Sequence, residues 1–125
     1  MIVALPSIKT SRGTYLSPHF GRARFFTLAE VADGSHRIIK VVENPFFNHT
    51  HGRREAVVDF LVSQGVEAVI SLGMGPGAFE KLRSRGVKIY YVEPAQPGQL
   101  VSVEEALELF TQNKLTEATE PREHD

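Results

Sequence analysis

The sequence contains no cysteine. The chain can therefore form no disulfide bond, and by itself it supplies no thiolate ligand to a zinc ion or an iron–sulfur cluster. It holds only two methionines, so sulfur ligands of any kind are scarce. A metal bound by this chain would need histidine, carboxylate or methionine ligands.

An excess of charge is also missing, because 14 lysines and arginines face 15 acidic residues and leave a formal net charge of -1. This balance provides no global field that would hold a nucleic-acid backbone or an anionic membrane. No apolar run approaches the roughly 20 residues of a membrane span, and the N-terminus carries no basic leader. We therefore expect a soluble, cytoplasmic protein that binds neither nucleic acid nor membrane.

Apolar runs and turn signals predict an α/β domain with the element order βββαβαβα, in a chain of 125 residues that is long enough for one core. The first strand, residues 2–6, ends at a proline and precedes a polar loop. A turn at residues 32–35 joins the next two strands as an antiparallel hairpin, and each later strand follows a helix. This order predicts a ribonuclease H-like, three-layer domain with a mixed five-stranded sheet.

The C-terminal end of the chain lacks the apolar periodicity of the preceding elements. Residues 113–125 are predicted to form a flexible tail beyond a domain of residues 1–112. From Thr116 onward this segment contains no large apolar side chain to bury, so we expect it to fray and to contribute little to stability.

Three polar loops, residues 7–23, 43–52 and 72–77, follow strands that are predicted to run in the same direction. They should meet at the carboxyl edge of the sheet, where open α/β sheets bind ligands. His36 is expected at the opposite edge.

Three of the five histidines, His19, His49 and His51, fall in these loops. In extended backbone the side chains of His49 and His51 would point to the same side, with their Cα atoms about 6–7 Å apart. Together with His19 they could ligate a transition metal or a cluster. The alternative is that all three are ordinary solvated loop histidines.

The glycine loop, Gly73-Met74-Gly75-Pro76-Gly77, opens a predicted helix. Its glycines permit close backbone approach, and free N–H groups at a helix start can cradle an anion. The spacing matches neither a P-loop nor a dinucleotide-binding loop, and a tight turn that needs glycine only for its geometry explains it as well. Met74 could add a thioether ligand, although such side chains more often pack.

Arginines accompany these loops. Arg22, Arg53 and Arg54 lie beside the histidines and the predicted helix starts, where a guanidinium group can hold an anion, whereas Lys9 and Arg12 are expected to be solvated. No serine in a sharp strand-to-helix turn and no pair of carboxylates stands out at this edge, and the first strand lacks the acidic residues of a two-metal nuclease. We therefore do not expect an enzyme.

Taken together, several motifs resemble one family. They are the run from Ser17 to Ala23, Phe25-Phe26, Asn44-Pro45, His51-Gly52 and residues 73–78. This combination resembles the dinitrogenase iron–molybdenum cofactor biosynthesis family, with its NifX-like and NafY-like domains, over residues 1–112. The resemblance implies a ribonuclease H-like domain that binds, carries or shields a metal cluster without chemistry of its own, and that exchanges it with a donor or recipient metalloprotein.

Position by position, His19 corresponds to the histidine of the family's His-Phe-Gly motif, and residues 73–77 correspond to its glycine loop. Some members carry cysteine near these loops, and its absence here favours histidine, arginine and backbone donors around an anionic cluster. The leading hypothesis is a cytoplasmic accessory protein whose ligand is an iron–molybdenum or related cluster. The second hypothesis is a regulatory module that binds a metal-free small anion or a nucleotide-type ligand through the same glycine loop.

Overall fold

The computed structural model describes residues 1–49 and 52–122, and of Arg53 only the backbone. No helix in this described part is long and apolar enough to cross a membrane. The elements are β1 (Ile2–Thr10), β2 (Gly13–Leu16), β3 (Phe25–Ala32), β4 (Ser35–Glu43), α1 (Arg53–Ser63), β5 (Val66–Ser71), α2 (Pro76–Ser84), β6 (Lys88–Tyr91) and α3 (Val103–Thr111).

The strands form one mixed sheet, which has six strands within the described residues. β4, β3, β1, β5 and β6 lie side by side in that order, and β2 pairs with β1. β3 is antiparallel to both of its neighbours, whereas β5 is parallel to β1 and β6 is parallel to β5. The predicted α/β class, the hairpin and the parallel crossovers are confirmed, but the predicted count of five strands is wrong.

The additional strand arises because β1 does not end at Pro6. This proline lacks an N–H donor, yet its carbonyl accepts the N–H of Ser17 at 2.8 Å, and β1 continues to Thr10. The Thr10 side chain then holds a tight turn, accepting from the N–H of Arg12 at 3.1 Å and donating to the carbonyl of Gly13 at 3.0 Å. The segment that the sequence predicts to be a polar loop is therefore mostly a β1–β2 hairpin.

Helices cover both faces of the sheet. Val3 and Ala4, adjacent in β1, belong to opposite hydrophobic clusters, as strand alternation requires. The cluster under α1 and α2 includes Val57, Leu61, Phe79 and Leu82, and the cluster under α3 includes Val103, Ala106 and Leu107.

The β3–β4 hairpin turns at Asp33 and Gly34, which have φ values of 53° and 76°. Two successive positive φ values are typical of a type I′ turn, whose twist matches that of the flanking strands. At this end of β4, the Nε2 atom of His36 lies 2.9 Å from a carboxylate oxygen of Glu104. His36 is therefore at the opposite end of β4 from Glu43, as expected.

Residues 113–122, which we call the C-terminal strap, are docked rather than frayed, contrary to the expectation from the sequence. The N–H of Ala118 donates to the carbonyl of Ile89 at 2.7 Å, and Arg122 exchanges two backbone hydrogen bonds with Met74, at 2.7 and 3.0 Å. Leu115 packs against the core under α3. The strap docks mainly through backbone bonds along the outer edge of β6, a contact that requires few apolar side chains.

Deleting residues 114–125 is therefore expected to lower the free energy of unfolding by about 1–3 kcal/mol, because several backbone hydrogen bonds and the Leu115 contact disappear. Urea denaturation of the full-length and shortened chains measures this difference. An unchanged midpoint would restore the prediction of a frayed tail.

Tyr91 on β6 provides a second test of strap docking, since its hydroxyl donates to the carbonyl of Glu120 at 3.1 Å. Burial raises the pKa of Tyr91 above its ordinary value of 10.0. The unfolded chain therefore loses this proton first, so the stabilisation is complete below about pH 10 and is lost as the pH rises through the folded-state pKa.

Between about pH 9 and 11, the parent protein should accordingly lose more stability than the Tyr91→Phe variant, which has no phenolic proton to lose. Urea midpoints measured across this range give the comparison. Parallel pH profiles for the two proteins would contradict the burial of this hydroxyl.

Candidate functional site

The register of the sheet brings three loops to one edge. β1 pairs Ser7 with Phe25 of β3, and Phe25 in turn pairs with Glu43 at the end of β4. β5 runs parallel to β1, so its carboxyl end at Ser71 lies at the same edge of the sheet. The loops at residues 17–24, 44–49 and 72–75 therefore converge, as the strand order predicts.

Asn44 joins two of these loops from a position where only 1% of its surface is exposed. Its Nδ2 atom donates to the carbonyls of Gly21 and Ala23 at 3.0 and 2.9 Å. Its Oδ1 atom accepts the N–H of Phe46 at 2.9 Å. One amide thus satisfies three backbone groups and fixes the loop that carries His19 against the loop that carries His49.

Two helices begin at this edge without a side-chain cap among the described residues. The N-cap of α1 is Gly52, in left-handed conformation with φ 70°, and the N-cap of α2 is Gly75, followed by Pro76. First-turn N–H groups have no acceptor within their own helix, and helix starts carry a partial positive charge. Both helix starts, with their partial positive charge, thus lie beside the converging loops.

Arg54 lies between these two helix starts. A methyl group added at Gly77 would overlap the Arg54 guanidinium, so the arginine covers the first turn of α2 and would have to move aside for any larger residue there. The backbone of Gly77 does not have positive φ, and its role is therefore close approach rather than turn geometry. The contact places a full positive charge beside a helix end that is already positive.

Ser71 lies beneath the glycine loop, at the end of β5. It is 1% exposed, and within the described part of the chain its Oγ atom has no hydrogen-bond partner. Strand alternation directs its side chain to the same face as Val69, the face covered by α1 and α2. A buried hydroxyl without a protein partner is uncommon in folded proteins.

The structure describes two of the three histidines that are predicted to bind a metal, His19 and His49. His19 is exposed, and its backbone N–H donates to Ser17 Oγ at 3.1 Å. His49 is exposed, with its ring 5.2 Å from the ring of Phe46 between centroids, whereas His51 lies outside the described residues. Among residues 1–49 and 52–122, no group of three histidine or acidic side chains is placed to hold a metal ion.

The other predicted residues differ in accessibility. Arg22 is exposed at the edge, and the side chain of Arg53 lies outside the described residues. Met74 is only 4% exposed and packs in the core under α1 and α2, so its thioether is not presented to a ligand at the surface. Lys9 is not merely solvated, because its Nζ lies 4.6 Å from the centre of the Phe25 ring.

Sequence reasoning missed Arg122, which reaches this edge from the C-terminal strap. Its guanidinium donates to the carbonyl of Leu72 at 2.8 Å and to the carboxylate of Glu93 at 3.0 Å. A single arginine in a polar tail carries no signal in the sequence. Asn44 was recognised only as part of a motif, although an asparagine directly before a proline often organises a turn.

A family model described as "Dinitrogenase iron-molybdenum cofactor" matches residues 1–113. The chain belongs to this family. A Methanocaldococcus jannaschii protein whose name assigns no function is 31% identical over 115 residues, which are 92% of this chain and 89% of that protein.

Two solved structures share the fold. One is a Thermotoga protein that is described as a NifB protein and is 35% identical to this chain. The two structures superpose with a TM-score of 0.70, and the match covers 93% of this chain and 91% of that one. The apo form of the orange protein from Desulfovibrio gigas is 21% identical with a TM-score of 0.78, covering 97% and 95% of the two chains. The second likeness concerns the fold alone.

Replacing Asn44 with alanine should lower the free energy of unfolding by about 2–4 kcal/mol, because buried backbone groups lose their partners. Asn48→Ala, an exposed change in the same loop, is the matched control and should cost less than about 0.5 kcal/mol. Urea denaturation of both variants provides the measurement. Equal stability of the two would show that Asn44 does not hold the loops together.

Proposed function

We propose that this chain is a small, cytoplasmic, non-catalytic accessory protein that binds or carries an anionic metal cluster, iron–molybdenum cofactor-like or related. Membership of the dinitrogenase iron–molybdenum cofactor family supports a role in handling such a cluster. The observation that carries the proposal is the pair of uncapped helix starts with Arg54 over Gly77. The cluster is treated as a transported ligand rather than as a resident cofactor.

The electrostatics of the edge favour an anion. Each helix start contributes a partial charge of about +0.5, and the guanidinium of Arg54 adds a full charge beside them. Glu55, the acidic residue in the first turn of α1, lies 3.0 Å from Lys81, so its negative charge is balanced. A cluster with acceptor atoms on its periphery would receive backbone N–H groups from the glycine loop and charged donors from Arg54, with Arg22 and Arg53 as further candidates.

Coordination of the metal itself is assigned to His19, His49 and His51. Imidazole nitrogens suit iron and related transition metals, and the chain offers no thiolate in their place. His19 and His49 come from the two loops that Asn44 ties together. In this proposal a donor metalloprotein delivers the cluster to this edge, and a recipient takes it from the same exposed side.

The finer description of the fold fits the same proposal. The strand order β4-β3-β1-β5-β6, with helices on both faces, supports the ribonuclease H-like assignment. A two-metal nuclease of this fold would need an acidic metal ligand on its first strand, and β1 contains no acidic residue. This supports binding rather than catalysis.

The alternative is a regulatory module that binds a metal-free small anion or a nucleotide-type ligand. One observation favours it: α2 begins at the glycine loop with Gly75 as its N-cap, whereas among the described residues no group of three metal-ligating side chains is placed to hold a metal ion. Such a module would need the glycine loop and the arginines but not the histidines.

Replacing His19, His49 and His51 together with alanine should abolish metal uptake, because alanine has no ring nitrogen to coordinate a metal. The measurement is metal analysis of untagged protein purified anaerobically from cells supplied with molybdenum and iron. His36→Ala, at the far end of β4, is the matched control and should take up as much metal as the parent.

Binding that needs no metal and survives the triple histidine change would overturn the leading proposal and support the alternative. In that case replacing the arginines should weaken binding more than replacing the histidines does.

Arg54→Gln and Gly77→Ala should each weaken binding of the isolated iron–molybdenum cofactor by about fivefold to tenfold, since both remove the guanidinium from the start of α2. Alanine also favours helix more than glycine, so Gly77→Ala should not lower stability while it lowers affinity. Retention of a bare divalent cation should change less than retention of the cluster.

Arg12→Gln, at the tip of the β1–β2 hairpin, is the matched control for charge and should bind the cofactor as the parent does. Anaerobic titration followed by absorbance gives the affinities. Parent-like affinity in both Arg54→Gln and Gly77→Ala would remove the Arg54 contact from the site.

A further inference from the structure

The C-terminal strap connects the outer edge of the sheet to the glycine loop. At one point along β6 the N–H of Ala118 donates to the carbonyl of Ile89 at 2.7 Å. At the end of the strap, both backbone groups of Met74 bond to Arg122, at 2.7 and 3.0 Å. Met74, the second residue of the glycine loop, is therefore held by a residue that lies 48 positions further along the chain, as the numbers 74 and 122 show.

The side chain of Arg122 strengthens this connection. Its Nη2 atom donates to the carbonyls of Leu72 and Val92, at 2.8 and 3.4 Å, and so links the segments that leave β5 and β6. Its Nη1 atom pairs with Glu93 at 3.0 Å, and its guanidinium lies 4.6 Å from the centre of the Tyr91 ring. Both terminal nitrogens of this arginine therefore donate to protein groups, although 38% of its side chain is exposed.

The backbone of the glycine loop requires contacts from elsewhere in the chain to keep it in one conformation. Gly73 and Gly75 flank Met74, and glycine loses more conformational freedom on ordering than any other residue. An anion cradle built from backbone N–H groups binds weakly when those groups must first be ordered, and more strongly when they are already in place. The backbone bonds to Arg122 fix Met74, which lies between Gly73 and Gly75.

We propose that residues 113–122 act as a strap that holds the glycine loop in its ligand-binding conformation, with Arg122 as the positioning residue. The role in binding rests on the proposed function, whereas the mechanical role does not. The strap forms backbone hydrogen bonds with the exposed edge of β6. It also orders the backbone of the glycine loop in advance, so that less conformational entropy is lost when an anion binds.

Amide hydrogen exchange on the full-length chain tests the mechanical role. In Arg122→Ala, exchange at Met74 and the neighbouring glycines should accelerate by about fivefold or more, which corresponds to loss of roughly one backbone hydrogen bond. Arg37→Ala is the matched control, because Arg37 also pairs with a glutamate, Glu30, at 3.0 Å. Exchange at Met74 that is the same in both variants would contradict the strap.

A second variant separates positioning from direct contact with the ligand. Ala118→Pro removes the N–H that bonds to Ile89 and leaves every charge in place. It should loosen the glycine loop and weaken binding of the isolated iron–molybdenum cofactor or of inorganic phosphate in the same direction as Arg122→Ala. Arg122→Lys, which keeps a charged donor, should restore part of both effects.

The outcomes are distinct. Weaker binding in Arg122→Ala with parent-like binding and exchange in Ala118→Pro would mean that Arg122 contacts the ligand itself, and the positioning role would be wrong. A parent protein that binds neither probe would contradict the proposed function, and hydrogen exchange would then still decide whether the strap holds the loop.

Discussion

The candidate site depends on the positive charge of two helix starts at one edge of the sheet. In the described part of the chain, neither α1 nor α2 has a side-chain cap at its N-terminus. The same chain caps α3 in the usual way, with Ser102 Oγ accepting the N–H of Glu105 at 3.0 Å. At α2 the neighbour is Arg54, whose charge repels the positive helix start. This arrangement costs stability in the free protein, and under the proposed function a bound anion would offset that cost.

Helices and strands whose apolar residues recur at regular spacing could be predicted from the sequence. Val57 and Leu61 lie one turn apart on the buried face of α1, and Gly65 ends the following turn with φ 82°. The direction of the strands followed from the hairpin and from the handedness of the crossovers. From those two rules alone, one can predict that the glycine loop and the loops that carry His19 and His49 lie at the same edge of the sheet.

The features that escaped prediction are formed by backbone pairing or by the meeting of distant elements. The β1–β2 hairpin and the C-terminal strap dock through main-chain bonds, which leave little trace in the pattern of apolar residues. The contact of Arg54 with Gly77 depends on how α1 and α2 pack, and no local pattern encodes that geometry. The three bonds of Asn44 likewise become visible only when two loops lie together.

The most direct test of an anion site at this edge is an anaerobic titration of the parent protein with the isolated iron–molybdenum cofactor, followed by amide chemical shifts. We expect the amides of Gly75, Gly77 and the first turn of α1 to shift and to become protected from exchange. The amide of Glu105, already satisfied by Ser102, should not respond. Shifts confined to other surfaces, or an unchanged spectrum at saturating cofactor, would contradict a cluster-binding role for this edge.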